Sequence, residues 1–243
     1  MEVYSLAMSD IDLYDKSAQD YESLQERRPD YVGARNTFLE LALEYLKDKR
    51  DISVVDFCSG TGNNSLLLSQ NLSIGKVALI DINKEFLDIA LKSGIKAKEI
   101  VRIKMDVLET DLRPEYDVVI SMFAYHHVLN VDKRKYVEQV KKALRPEGIV
   151  LLGEIYSPDK ETALKYYEYL LDSISKDERT AELENFLKQT ANSDHFEYKV
   201  ARKFAHDQFA MNGFKSITSR KVWPLENSPF DPEVGTFVEV WQI

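Results

Sequence analysis

An α/β fold with a doubly wound, mostly parallel sheet is predicted by three features of the sequence. Between residues 52 and 155, short β-branched runs alternate with segments patterned as helices, and that alternation implies parallel pairing through right-handed crossovers. The first run, "VVDF", passes directly into "CSGTGNNS", a glycine turn with a helix behind it. Near the end, "FKSITSRKVW" and "GTFVEVWQI" flank the proline-rich "PLENSPFDPEVG", and read as an antiparallel hairpin completing one edge of a seven-stranded sheet.

Taken in order, "TFLELALEYLKDKR" places Phe38, Leu41, Ala42, Tyr45 and Leu46 on one stripe of a helix with a basic end. Tyr14 to Arg28 forms a weaker helical pattern, ended by Pro29. Strands are predicted at 52–57, 76–81, 99–105, 117–122 and 148–155, with helices at 63–71, 83–92 and 133–144. "DVLETDLRPE" is too short and acidic for more than a turn of helix. After Tyr156 the pattern changes: Leu164, Tyr167, Leu171 and Ile174 make one helical stripe, and Leu183, Phe186 and Leu187 another. One domain is therefore expected, with cover helices (1–50), a ligand-binding core (51–156), a helical insertion after the fifth strand (157–213) and the hairpin (214–243).

Composition narrows the function classes. The chain has 243 residues, 44% hydrophobic and 30% charged, an ordinary globular balance with no sign of disorder. A net charge of −9 argues against a broad nucleic-acid or anionic-membrane surface. One cysteine, Cys58, excludes an intramolecular disulfide and a cysteine metal cluster. The early acid in "MEVYSLAMSDIDLYDK" does not suit a signal peptide, and runs such as "GIVLL" are far too short for a membrane span. A cytoplasmic protein, monomer or homodimer, is the expectation. No metal site is expected, because the histidines are adjacent or far apart in sequence.

The glycine loop is more specific. A phosphate loop would need Gly-Lys-Ser/Thr, and "GTGNNS" has no lysine. A nicotinamide site would want a third glycine where Ser65 stands. With Asp56 ahead of Gly60 and Gly62, the D-x-x-x-G-x-G pattern resembles the first motif of class I S-adenosylmethionine-dependent methyltransferases. The resemblance extends over roughly residues 50–155. "KVALIDINKEF" ends a strand on Asp81, which the resemblance places on the ribose hydroxyls with Ile82 beside the adenine, although Asp81 also suits a helix cap. "IVRIKMDVLE" puts Asp106 and Val107 at the adenine edge, while "YDVVISMFAYHHV" and "VKKALRPEGIVLLGE" match the fourth-strand motif, including Met122, and the turn before the fifth strand. Glu147 there replaces the family's usual first glycine.

The resemblance implies a Rossmann-like methyltransferase fold, with Asp56, Cys58, Gly60 and Gly62 at the methionine end of S-adenosylmethionine and Tyr21 closing over it. It also implies methyl transfer to a small-molecule acceptor by in-line displacement. His127 matches a histidine common in small-molecule members; it or His126 is the candidate base, the alternative being that both pack on the cofactor. Tyr125, Arg27, Tyr156 and Arg202 are candidate acceptor contacts, with Arg28, Tyr31 and His206 as further neighbours. Competing classes are an RNA-modifying methyltransferase, a nicotinamide-dependent reductase and a cofactor-binding protein without turnover. The first lacks both a basic domain and the "(D/N)-P-P-(Y/F)" signature.

Overall fold

The computed structural model describes residues 21–192, 197–225 and 227–243; the expected helical residues from Tyr14 to Asp20 lie outside them. The chain opens with α1 (Tyr21–Gln25) and α2 (Pro29–Leu46). The second helix starts well before the predicted "TFLELALEYL" because Pro29 occupies its first turn. There the missing N–H costs nothing and the fixed φ suits helix entry, so the residue that stops one helix starts the next.

The core then alternates: β1 (Ile52–Phe57), α3 (Asn63–Asn71), β2 (Ile74–Asp81), α4 (Lys84–Lys92), β3 (Ala97–Lys104), β4 (Tyr116–Met122), α5 (Lys133–Ala143) and β5 (Leu144–Tyr156). An insertion supplies α6 (Lys160–Ser173), α7 (Ala181–Asn192) and α8 (Arg202–Met211) before β6 (Lys215–Trp223) and β7 (Gly235–Gln242). The seven strands run in the order β3-β2-β1-β4-β5-β7-β6. β1 to β5 pair in parallel, β7 lies antiparallel to β5, and β6 antiparallel to β7. The hairpin thus forms one edge, but its second strand lies inside and its first outside.

Near-continuous apolar runs are what strands buried on both faces require. Val55, Phe57, Val119, Val150 and Leu152 point into one core with Tyr136 and Phe209. Val54, Leu79, Val118 and Leu151 point into the other with Phe38 and Leu41 of α2. β3, mostly exposed or half-buried, carries the charges of "AKEIVRIK" at the opposite edge. β5 starts earlier than its apolar run, pairing Leu144 with Tyr116. Glu147 adopts φ +64° in the irregular stretch of β5 between the pairs Tyr116–Leu144 and Val118–Ile149, where the resemblance would place a glycine.

A third apolar cluster lies at the carboxyl ends of the parallel strands. It joins Leu24 of α1 to Ile155 at the end of β5, to Tyr166, Tyr167 and Leu170 of α6, and to Leu183, Phe186 and Leu187 of α7. Asp159 caps α6, accepting from the Thr162 N–H at 2.7 Å. Of the stripes read from the sequence, Tyr167, Leu171, Ile174, Leu183, Phe186 and Leu187 lie in this cluster and hold the insertion and the first helix over this end of the sheet, while Leu164 is half-buried outside it. No described helix is long and apolar enough to cross a membrane.

Candidate active site

After β1 the chain must reverse into α3 within a few residues, and it does so through left-handed backbone at Cys58 (φ +53°), Gly60 (φ +52°) and Gly62 (φ +75°). The Ser59 N–H donates to the Ile80 carbonyl at 2.9 Å, and Gly62 N–H to the Ser59 carbonyl at 2.9 Å. The two glycines differ in what their missing side chains allow. A Cβ on Gly62 would stand 2.8 Å from the Ala90 Cβ of α4, whereas one on Gly60 would meet nothing within 4 Å. Gly62 is demanded by helix packing; Gly60 borders open space. We expect Gly62→Ala to lose about 2–4 kcal/mol of stability through strain and overpacking. Gly60→Ala should lose only about 1–2 kcal/mol from its backbone conformation while still weakening cofactor binding. Urea denaturation and calorimetry on the two variants check this.

Three acids stand at successive strand ends. Asp56 is buried and accepts from Ser65 Oγ at 2.7 Å, and burial pushes its pKa up to about 7. It therefore anchors α3 beneath the loop. Asp81 accepts from the Gly60 N–H through Oδ2 and from the Asn83 N–H through Oδ1, both at 2.8 Å. Each carboxylate oxygen has more than one lone pair, so acceptor capacity is left for a ligand. Its buried position raises its pKa, against the pull of the N–H groups of Asn83, Gly60 and Ile82. Asp106 is exposed, with Oδ1 accepting from the Leu108 N–H at 2.9 Å, and Val107 behind it is buried. Ile82 is 40% exposed, while Met122 is buried. Cys58 is half-buried, and burial pushes its thiol well above the ordinary range, which suits packing rather than redox chemistry.

These residues fit S-adenosylmethionine. The space beside Gly60 admits close backbone approach, the buried Ser59 Oγ has no hydrogen-bond partner among the described residues, and Asp81 and Asp106 supply acceptors along the sheet edge. From the other side, Glu22 of α1 accepts from the Thr61 hydroxyl and, at 3.3 Å, from Tyr31. Tyr21 lies 5.4 Å from Phe86 and 6.2 Å from Phe186, ring centre to ring centre, joining the first helix to both α4 and the insertion.

Next to this edge lies a small pocket. Tyr21, Tyr31, Phe123, Tyr167 and Phe186 line it, with Arg28, His126, His127 and Glu197 among its polar groups. Phe123, forced to φ +55° after β4, stacks on Tyr31 with centroids 5.6 Å apart. The histidines occupy a single 3-10 turn, Tyr125–His127, with rings 4.1 Å apart. Glu154, buried in β5, receives the His126 N–H at 3.0 Å and bonds His126 Nδ1 through its other oxygen. Burial, with Lys199, Lys133 and Arg28 nearby, holds the His126 pKa well below its ordinary value, so the ring is neutral at pH 7. Glu197 pairs with Lys199 and lies 3.8 Å from His126 Nε2.

Not every expected acceptor contact reaches this pocket. Tyr125 is fully buried between Tyr136 and Phe209, and Arg27 donates to Thr180 at 3.1 Å. Tyr156 donates to Glu239 at 2.8 Å, and Arg202 binds Glu239, Glu233 and Ser219. His206 bonds the same Glu239 at 2.8 Å. These three form a network around β7, on the face of β5 that carries Val150 and Leu152 rather than at the pocket. Arg28 and Tyr31 do line it. Glu154, Glu197 and Lys199 escaped sequence reasoning, although the one acid in "GIVLLGEIY" was a signal that a buried strand needed a polar partner.

A methyltransferase-domain family model matches residues 54–148, from β1 into the turn before the apolar run of β5. A methyltransferase of Bacillus cytotoxicus, itself uncharacterized, is 27% identical over 222 residues, spanning 88% of this chain and 95% of that one. With the fold, these matches make the protein an S-adenosylmethionine-dependent methyltransferase. The 2-phytyl-1,4-beta-naphthoquinone methyltransferase of Arabidopsis thaliana is 20% identical, covering 88% of this methyltransferase and 77% of its own length. Among solved structures, the 1,6-didemethyltoxoflavin-N1-methyltransferase of Burkholderia thailandensis aligns with 99% of this methyltransferase and 91% of its own chain. Its TM-score is 0.62 and its identity 12%, a likeness of fold, and it was crystallised with 1,6-didemethyltoxoflavin and S-adenosylhomocysteine. The cofactor of the present methyltransferase is S-adenosylmethionine, and its reaction is methyl transfer.

Proposed function

We propose that the acceptor is a small molecule bound in the pocket between the histidine turn, the first helix and the insertion. The observation that carries this reading is the roof. α1 and α7 meet over the carboxyl ends of the strands through Tyr21 and Phe186, which encloses the space where a polymer would need an open groove. The aromatic lining suits an apolar or aromatic acceptor, and since the pocket's free volume is about 20 Å³ as it stands, the roof must open to admit one. The matches support it too: the Bacillus cytotoxicus and Arabidopsis thaliana relatives each span 88% of this chain, the second of them a naphthoquinone methyltransferase. The ribosomal protein L11 methyltransferase of Dictyoglomus thermophilum matches only 54% of the chain and 40% of its own length.

When bound, S-adenosylmethionine supplies a sulfonium-activated methyl group open to in-line displacement. The chain's share is to bind, orient and exclude water. In this reading the loop at Cys58, Gly60 and Gly62 meets the methionine end, braced by Asp56, with Tyr21 over it. Asp81 accepts from the ribose, and Ile82, Asp106, Val107 and Met122 border the adenine. Residues 157–213 act as a lid. Where the acceptor's nucleophile carries a proton, His127 or the neutral His126 accepts it. His126 is oriented by Glu154: with Nδ1–H given to the carboxylate, Nε2 is the basic nitrogen.

The test is a release assay for S-adenosylhomocysteine with pooled phenols, quinols and nitrogen heterocycles in one arm and transfer RNA in the other. Turnover confined to the small molecules is expected. Turnover with RNA alone would overturn the proposal.

A further inference from the structure

The polar end of the pocket brings three potential metal ligands together. His126, His127 and Glu197 each offer one potential ligand atom, and those atoms all lie within 4.8 Å of one another. Sequence distance hides this grouping, because Glu197 comes from the far side of the insertion. Its placement is fixed by backbone: the N–H of Tyr198 donates to the carbonyl of His126 at 2.7 Å, holding the two segments side by side. A second tie, Ser157 N–H to the Val200 carbonyl at 3.1 Å, anchors the same stretch to the end of β5.

We propose that His126, His127 and Glu197 bind a divalent transition-metal ion of the zinc class. Two imidazoles and one carboxylate are the donor set of open, catalytic-type zinc sites. Magnesium and calcium prefer all-oxygen shells, whereas imidazole suits zinc, iron, cobalt and nickel. Donor atoms around a tetrahedral ion with bonds of ~2.0–2.1 Å stand roughly 3.3 Å apart. The 3.8 Å between His126 Nε2 and Glu197 Oε2 therefore needs only a small inward movement. The support behind the first ligand is already built. Glu154 takes the Nδ1 side of His126 and also its backbone N–H, the carboxylate–histidine arrangement that orients a ring toward a metal. The pocket's free volume of about 20 Å³ accommodates a water-sized species, which leaves room for an ion at its polar end.

The charges nearby also allow it. Lys199 now holds Glu197 but also lies over the Tyr167 ring, 4.9 Å from its centre, and keeps that seat when the carboxylate turns to an ion. Arg28 is committed to Asp30 and Gln25, and Lys133 to the Tyr125 carbonyl at 2.7 Å. With an ion in place the histidines act as ligands rather than bases, and an acceptor oxygen or nitrogen meets the ion's open position. The three ligands are all side chains of this chain, so the ion binds whatever the acceptor proves to be.

The experiment is a titration of chelator-stripped protein with cobalt(II), followed by its visible ligand-field absorption and by displacement with zinc. One saturable equivalent per chain is expected, weakened at least ~100-fold in His127→Gln and in Glu197→Gln, and strengthened ~10-fold in Lys199→Gln, where the competing ammonium is gone. Zinc should also raise the melting temperature of the wild type, a readout that remains if a variant fails to fold. The proposal is overturned by the absence of stoichiometric uptake and of a zinc-dependent melting shift. Uptake unchanged in both ligand variants overturns it equally, since the ion would then sit elsewhere.

Discussion

Asp81→Ala is expected to weaken S-adenosylmethionine binding by about a hundred- to a thousand-fold. The carboxylate is buried at the end of β2 with both oxygens already steering backbone, one at Gly60 and one at Asn83. Two ribose hydroxyls donating to it would form charge-assisted bonds worth about 1.5–3 kcal/mol each, part of which is offset by desolvation of the ligand. Alanine removes those bonds and also releases Gly60, so the loop loses the restraint that keeps its open side in place. Asp81→Asn separates the two contributions. It keeps one acceptor oxygen, and should lose only about tenfold. Calorimetry with S-adenosylmethionine and S-adenosylhomocysteine, beside urea denaturation of each variant, checks both. An affinity for Asp81→Ala within twofold of wild type would remove Asp81 from the cofactor site. The pH dependence has a definite sign. Burial raises the Asp81 pKa, and hydroxyl donors favour its ionised form, so binding weakens as pH falls through that raised value.

That prediction was available from the sequence because its parts are local. A strand, a glycine turn and an acid at the next strand end succeed one another along the chain, and a doubly wound sheet brings successive strand ends to one edge. The central strands were legible for a similar reason: β1, β2, β4 and β5 are buried over most of their length and therefore written as near-continuous apolar runs. The proposed acceptor pocket was less legible because its polar groups meet only through tertiary contacts. Glu197 reaches His126 by way of a backbone bond that no sequence spacing encodes. Tyr156 illustrates the converse. It sits at the end of a strand that does reach the site, but side chains alternate across a strand, and its parity sends it to the face of Val150 and Leu152, where Glu239 receives its hydroxyl. Arg202 and His206 share one face of α8 at helical spacing, which was readable; their common partner Glu239, on the last strand, was not.

Arg28→Ala is expected to destabilise the fold by about 3–5 kcal/mol, a large share of the ~5–15 kcal/mol by which domains are stable. Arg28 and Asp30 are both buried, at 5% and 0% exposure. The guanidinium donates to both Asp30 oxygens, at 3.1 and 2.7 Å, and to Gln25 Oε1 at 2.7 Å. Asp30 also receives the Tyr166 hydroxyl at 3.1 Å, and that hydroxyl lies 2.6 Å from Thr236 on β7. One polar chain thus ties α1, the start of α2, the insertion helix α6 and the sheet. Removing Arg28 leaves a buried carboxylate with no cation, which is far more costly than losing the pair altogether. The double variant Arg28→Met with Asp30→Leu should therefore recover more than half of the loss, as measured by urea denaturation of the single and double variants. A single-variant loss below about 1 kcal/mol would mean that water replaces the guanidinium and that the network does not hold the insertion in place. Because Arg28 also lines the pocket beside the histidine turn, the same ion pair sets the geometry of the roof: the sequence break at "RRPD" joins two helices and, on the function proposed above, fixes where an acceptor can lie.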